Sequence, residues 1–102
     1  MNLLQETLEK IKNYHKQESD IVYIGDGHGS CCTLDEFKIM ANIEYDNSWG
    51  SAEILTSLKI VFNDGTWLER GEYDGSEWWD YMEIPNQKSD KKLTSLLEYK
   101  GY

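Results

Sequence analysis

Residues 58–84 read LKIVFNDGTWLERGEYDGSEWWDYMEI, and the fold turns on this stretch. Three strand-like segments, 58–62, 66–73 and 77–84, are separated by Asp64-Gly65 and Asp74-Gly75. Asp-Gly between β-rich runs is the strongest short-range hairpin signal, so the segments predict a three-stranded antiparallel meander. Taking Asn63-Asp64-Gly65 as a three-residue loop sets Ile60 opposite Leu68 and Lys59 opposite Glu69. That register gives an apolar pair on one face and an ion pair on the other. A two-residue turn would instead oppose Lys59 to Arg70. The register of the second hairpin stays open. Adjacent strand residues point to opposite faces, so one of Trp78 and Trp79 packs under a helix while the other lies on the second face.

Upstream, Leu3, Leu4, Leu8, Ile11 and Tyr14 recur at helical spacing, with Asn2 as N-cap and Glu6, Glu9, Lys10 and Lys12 opposite. After a polar break, residues 21–24 form a short β-branched run bounded by Gly25. The glycine-containing loop 25–29 leads to residues 30–32, which predicts a short β-hairpin. Thr33 and Glu36 have the spacing of a capping box, opening a helix through about Ile43 that buries Phe37, Met40 and Ala41. A Gly-, Ser- and Asn-rich connection carrying Trp49 follows. Beyond Pro85, Ser89 or Asp90 caps a last helix with Leu93, Leu96 and Leu97 inside. The expected architecture is therefore α+β, in the order helix, short β-hairpin, helix, three-stranded antiparallel meander, C-terminal helix, as a single domain over residues 1–102.

The chain has 102 residues, 19 of them acidic and 10 basic, for a net charge of -9. Four Trp, seven Tyr and two Phe exclude a disordered acidic tail, which lacks the aromatics to build a core. No apolar run reaches the roughly 18–20 residues of a membrane span. Gln5, Glu6 and Glu9 interrupt any secretion signal, placing the protein in a cytoplasm. Eight acids lie between residues 51 and 84, against only Lys59 and Arg70, whereas the tail from Asn86 is positive. Such a surface repels phosphates, so direct binding to nucleic acid or anionic membrane is not expected.

The residues point to no enzyme, cofactor or metal. His28 stands near Cys31 and Cys32, but an acidic field raises a thiol pKa, and adjacent cysteines rarely both reach one ion. Loop 25–29 lacks the Lys-Ser/Thr ending of a phosphate cradle and the spaced oxygens of a calcium loop. Arg70 reads as a tie among neighbouring glutamates. The binding candidates are the carboxylates and aromatics of the meander: Glu69, Glu72, Tyr73, Asp74, Glu77, Trp78, Trp79 and Asp80.

Leu34-Asp35-Glu36-Phe37, Glu44-Tyr45-Asp46 followed by Gly50, residues 58–61, and residues 67–79 with Pro85 resemble a group of small phage and prophage proteins. The run EYDGSEWW at 72–79 is its most specific part. The resemblance covers about residues 20–85 and implies no catalytic residues. Small size and acidity are also similar in kind to anti-CRISPR proteins. Together these lead to the expectation of a phage or mobile-element inhibitor in the host cytoplasm, a monomer or homodimer. It would block the nucleic-acid groove of a host protein, such as a CRISPR effector, by acidic mimicry. The alternatives are a phage accessory or structural interaction module whose charge is solubilising, and an enzyme using Cys31 with His28.

Overall fold

The computed structural model describes residues 1–48, 50–85 and 91–98. Helix α1 (Leu3–Asn13) is capped by Asn2, whose side chain accepts from the Gln5 amide. A 3₁₀ turn at Glu18–Asp20 leads into β1 (Ile21–Gly25), and helix α2 (Leu34–Met40) follows. Thr33 and Glu36 form the reciprocal capping box anticipated for α2. After the long connection come β2 (Lys59–Phe62), β3 (Trp67–Tyr73) and β4 (Ser76–Met82).

The described residues form a sheet of four strands, in the order β1-β2-β3-β4, all antiparallel. This corrects the expected separate hairpin and three-stranded meander. β1 pairs with β2, setting Ile24 opposite Ile60 and Ile21 opposite Phe62, with a bulge at Val22. Residues 30–32 contribute only an isolated bridge from Cys31 to Gly25. The physical reason lies in burial. Against β2, Ile24 joins Ile60 and Leu68 in the core, whereas residues 30–32 offer no comparable apolar face.

The first hairpin has the predicted register, Ile60 opposite Leu68 and Lys59 opposite Glu69. Its loop closes through Phe62 N–H to Thr66 C=O and Gly65 N–H to Phe62 C=O, with Gly65 at φ 86°. The second is a two-residue turn, with Tyr73 opposite Ser76. Asp74 and Gly75 both take positive φ, 51° and 88°, as the hairpin-compatible I′ turn requires.

The expected C-terminal helix is also corrected. Residues 91–98 contain no helix, and Leu93, Leu96 and Leu97 are exposed. The capping positions Ser89 and Asp90 lie outside the described residues, as does Trp49. Helix α2 ends at Met40 rather than about Ile43, and Met40 is exposed while Phe37 and Ala41 are buried. Among the described residues, no helix is long and apolar enough to cross a membrane.

Both helices lie against one face of the sheet. There Leu3, Ile11, Phe37 and Ala41 meet Ile24, Ile60, Phe62, Leu68 and Trp79. Thr7 sits in the same seam: its hydroxyl donates to Leu3 C=O and accepts from Trp79 Nε1 at 2.9 Å. Tyr14, near the end of α1, stacks on Tyr81 with centroids 4.1 Å apart.

Candidate functional site

The strand registers fix which side chains share a face, because directly opposed residues point the same way. The helix-covered face takes Leu68 with Tyr81, Arg70 with Trp79, and Glu72 with Glu77. The opposite face takes Trp67 with Met82, Glu69 with Asp80, Gly71 with Trp78, and Tyr73 with Ser76. Two of the eight expected binding residues therefore belong to the interior. Trp79 is 1% exposed and Glu77 is 4% exposed.

Glu77 holds the molecule together. Its Oε1 accepts from Arg70 Nη2 at 3.1 Å, and its two oxygens take the amides of Glu53 and Ile54. Its own amide donates to Asn47 C=O. One carboxylate thus ties the connection between α2 and β2 across the start of β4. Arg70, with its side chain 2% exposed, lies 4.8 Å from the Trp79 ring and also donates to the Tyr45 hydroxyl. Tyr45 in turn donates to Glu6 on α1. Burial, reinforced by that bond to Glu6, pushes the Tyr45 hydroxyl up to about 12 against the opposing effect of Arg70. Arg70 is a buried tie between helix and sheet, and it reaches Tyr45 and Glu6 as well as Glu77.

Other carboxylates are likewise used by the fold. Asp64 pairs with Lys16 and accepts from Thr66, and these bonds hold its carboxyl well below the usual carboxylate range. Glu53 accepts from the Asp46 amide. In the rest of residues 51–84, Glu72, Asp74 and Glu83 are exposed and Glu69 and Asp80 are half-buried, and Glu72 accepts from the Gly75 amide at the turn.

On the opposite face, which no described helix covers, two of these charges, Glu69 and Asp80, stand side by side. Tyr23, Val61, Trp67 and Met82 lie opposite one another across the four strands, as do Gly25, Lys59, Glu69 and Asp80 in the next row. Trp67 Nε1 donates to Glu69 at 2.7 Å, and Trp78 Nε1 donates to Asp80 at 2.9 Å. Lys59 forms no ion pair with Glu69 despite the predicted register; the indole of Trp67 takes that carboxylate instead. Trp78, 38% exposed, is folded over Gly71. A Cβ on Gly71 would stand 2.5 Å from Trp78 Nε1 and 2.6 Å from Asp80 Oδ2. Only glycine leaves room there for the Trp78 indole and the Asp80 carboxylate. The result is a row of two carboxylates between two indoles, with Tyr73, Glu72 and Asp74 at the hairpin tip beyond. Trp67 was not among the candidates. Its parity with Glu69 on a strand was the signal that finds it.

The thiols offer no comparable arrangement. Cys31 is exposed and Cys32 partly buried, and burial followed by the Glu36 and Cys31 charges pushes the Cys32 thiol up. That opposes formation of the nucleophilic thiolate. In the neighbouring loop Asp26 accepts from the His28 and Ser30 amides, which lowers its carboxyl pKa. The side chain is thereby used to shape the turn. No three of the described His, Cys, Asp and Glu residues are grouped to hold a metal ion.

No protein-family model matches the chain, and neither the curated proteins nor the solved structures include a match to it.

Proposed function

We propose that this domain is a non-enzymatic inhibitor, of phage or mobile-element origin, that acts in the host cytoplasm. It binds a nucleic-acid-handling defence protein, an anti-CRISPR role in which acidic mimicry blocks the partner's groove. The observation that carries the reading is the uncovered face of β3 and β4. There Glu69 and Asp80 lie side by side between Trp67 and Trp78, with Glu72, Tyr73 and Asp74 exposed at the adjoining tip. Carboxylates on neighbouring strands stand roughly 5–7 Å apart, so the face meets a phosphate-binding groove with a comparable set of anions. Desolvated aromatics supply most of the affinity in such contacts, and the charge supplies steering and partner choice.

The test is a pull-down from host lysate at about 50 and 300 mM salt, a range across which exposed charge contacts weaken by screening. Capture of a basic nucleic-acid-binding protein, reduced at the higher salt and competed by that protein's own nucleic acid, is the expected result. Salt-resistant capture of phage structural proteins would instead favour an accessory interaction module. Substitutions belong on Glu69, Asp80 and Trp78. Charge reversal at Glu77 would report unfolding rather than binding.

A further inference from the structure

We infer that the chain pairs with a second copy of itself by seating residues 91–98 of each copy in an apolar groove of the other. The groove is lined from α2, the loop after β1 and the connection that precedes β2, and it holds about 440 Å³. That volume is in the range of sites that enclose a bound group. Its buried lining includes Phe37 and Ile54, whereas Met40, Ile43 and Leu55 keep about half of their surface exposed. Large apolar side chains gathered at a concave surface mark an interaction site.

Two independent observations name the occupant. Leu93, Leu96 and Leu97 are each at least 80% exposed; single exposed leucines are ordinary, but three within five residues form an apolar patch that favours burial. Charge supplies the second. The net charge of the chain is -9, yet residues 86–102 contribute Lys88, Lys91, Lys92 and Lys100 against Asp90 and Glu98, so the acidic excess belongs to residues 1–85. The charged residues lining the groove are Asp26 and Glu53, neither of them in an ion pair among the described residues. Two such acidic bodies repel each other, and the lysine-bearing segment is the part of one copy that the other attracts. Docking within one chain is disfavoured by topology. The segment follows β4, and the strand order puts β4 at the sheet edge farthest from β1, whose Gly25 lines the groove. Between two copies the exchange is reciprocal and closes with two-fold symmetry. It uses none of the β3 and β4 residues proposed to meet a nucleic-acid-handling partner, so the two readings stand or fall separately.

The experiment is sedimentation equilibrium of the full chain from about 5 to about 500 µM, the span in which a dimer held by a small apolar contact dissociates. Wild type is expected to reach twice the chain mass within that span. Leu93→Ser with Leu96→Ser and Leu97→Ser, all at exposed positions, is expected to dimerise at least about tenfold more weakly. Met40→Lys with Leu55→Lys, which sets cations at the groove, is expected to do the same, and circular dichroism checks that both variants are folded. An equimolar mixture of the two variants should recover dimers, because the leucines of one still meet the intact groove of the other. A synthetic peptide of residues 91–98 in large excess should dissociate the wild-type dimer. Monomeric wild type at the highest concentration, or a wild-type dimer unmoved by the peptide, would overturn the inference without any variant having to fold. So would undiminished dimers in either folded variant, or a mixture in which the two variants do not pair.

Discussion

Replacing Glu77 by alanine tests whether this carboxylate is a structural anchor or a surface charge. The substitution leaves Arg70 buried beside Trp79 without its nearest carboxylate, and it orphans the amides of Glu53 and Ile54. Breaking one side of a buried ion pair costs about 3–5 kcal/mol, and each buried amide left unsatisfied adds about 1–3 kcal/mol. Partial exposure of the Glu53 amide makes the lower end appropriate, so we expect a loss of at least about 4 kcal/mol. A domain of this size has roughly 5–15 kcal/mol in total and loses about 4–8 °C of Tm per kcal/mol. Glu77→Ala should therefore melt at least about 15 °C lower, or be unfolded at 25 °C. The assay is thermal and urea denaturation followed by circular dichroism, with Glu69→Ala as a control on the same hairpin. That control should change stability by no more than about 1 kcal/mol. Adding Arg70→Met to Glu77→Ala should recover part of the loss by removing the stranded charge, but not the share due to the two amides. A Glu77→Ala protein within about 1 kcal/mol of wild type would refute the assignment of Glu77 to the interior network.

Gly75→Ala should cost about 1–2 kcal/mol in urea denaturation, because position 75 takes φ 88° where a Cβ is penalised. Asp74→Asn should change stability by less than about 0.5 kcal/mol, since asparagine tolerates the same left-handed conformation. Gly71→Ala should keep the fold while displacing the Trp78 ring; the Trp78 indole resonance would move and binding through the face would fall. Tyr45 is pushed up to about 12 in the folded protein, above the ordinary value near 10. Its contribution is thus present below about pH 10 and lost as pH rises toward the folded value, a loss that Tyr45→Phe should lack in alkaline denaturation. Asp64 has the opposite sign. Its depressed carboxyl stabilises above the ordinary value near 4 and stops doing so as pH falls through the folded value. The stability gap between wild type and Asp64→Asn should therefore narrow progressively on acidification below about pH 4.

The parts of the fold that were legible in the sequence are those decided by nearby residues. The Asn63-Asp64-Gly65 loop fixes the pairing of Ile60 with Leu68 because only that register puts both in the core. The caps at Asn2 and Thr33 were legible for the same reason, each side chain acting on an amide three residues away. β1 was not. Its partner at Phe62 lies some forty residues beyond Ile21, and a local reading offers residues 30–32 as a nearer but much poorer mate. A hydrophobic stripe does not single out the polar Thr7, although it lies on the Leu3–Ile11 line of the helix and receives Trp79 Nε1.

At the candidate site, alternation told that Trp78 and Trp79 diverge but not which was buried. That choice follows only once the two-residue turn at Asp74-Gly75 fixes the parity of β4 against Leu68. Charge counts could not separate Glu77, held by Arg70, from Asp80, which faces outward beside Glu69. The distinction depends on which strand face each carboxylate occupies, and net charge carries no information about faces.

The most direct test of the account is competition on a purified partner. The nucleic-acid-binding protein captured in the pull-down is mixed with its own nucleic acid, and displacement is measured with wild type and with the Glu69→Gln, Asp80→Asn double variant. The account predicts displacement by wild type that weakens as salt rises, and at least about tenfold weaker displacement by the folded double variant, or about 1.4 kcal/mol. Equal displacement by the two proteins would contradict it and place the working surface elsewhere on the molecule.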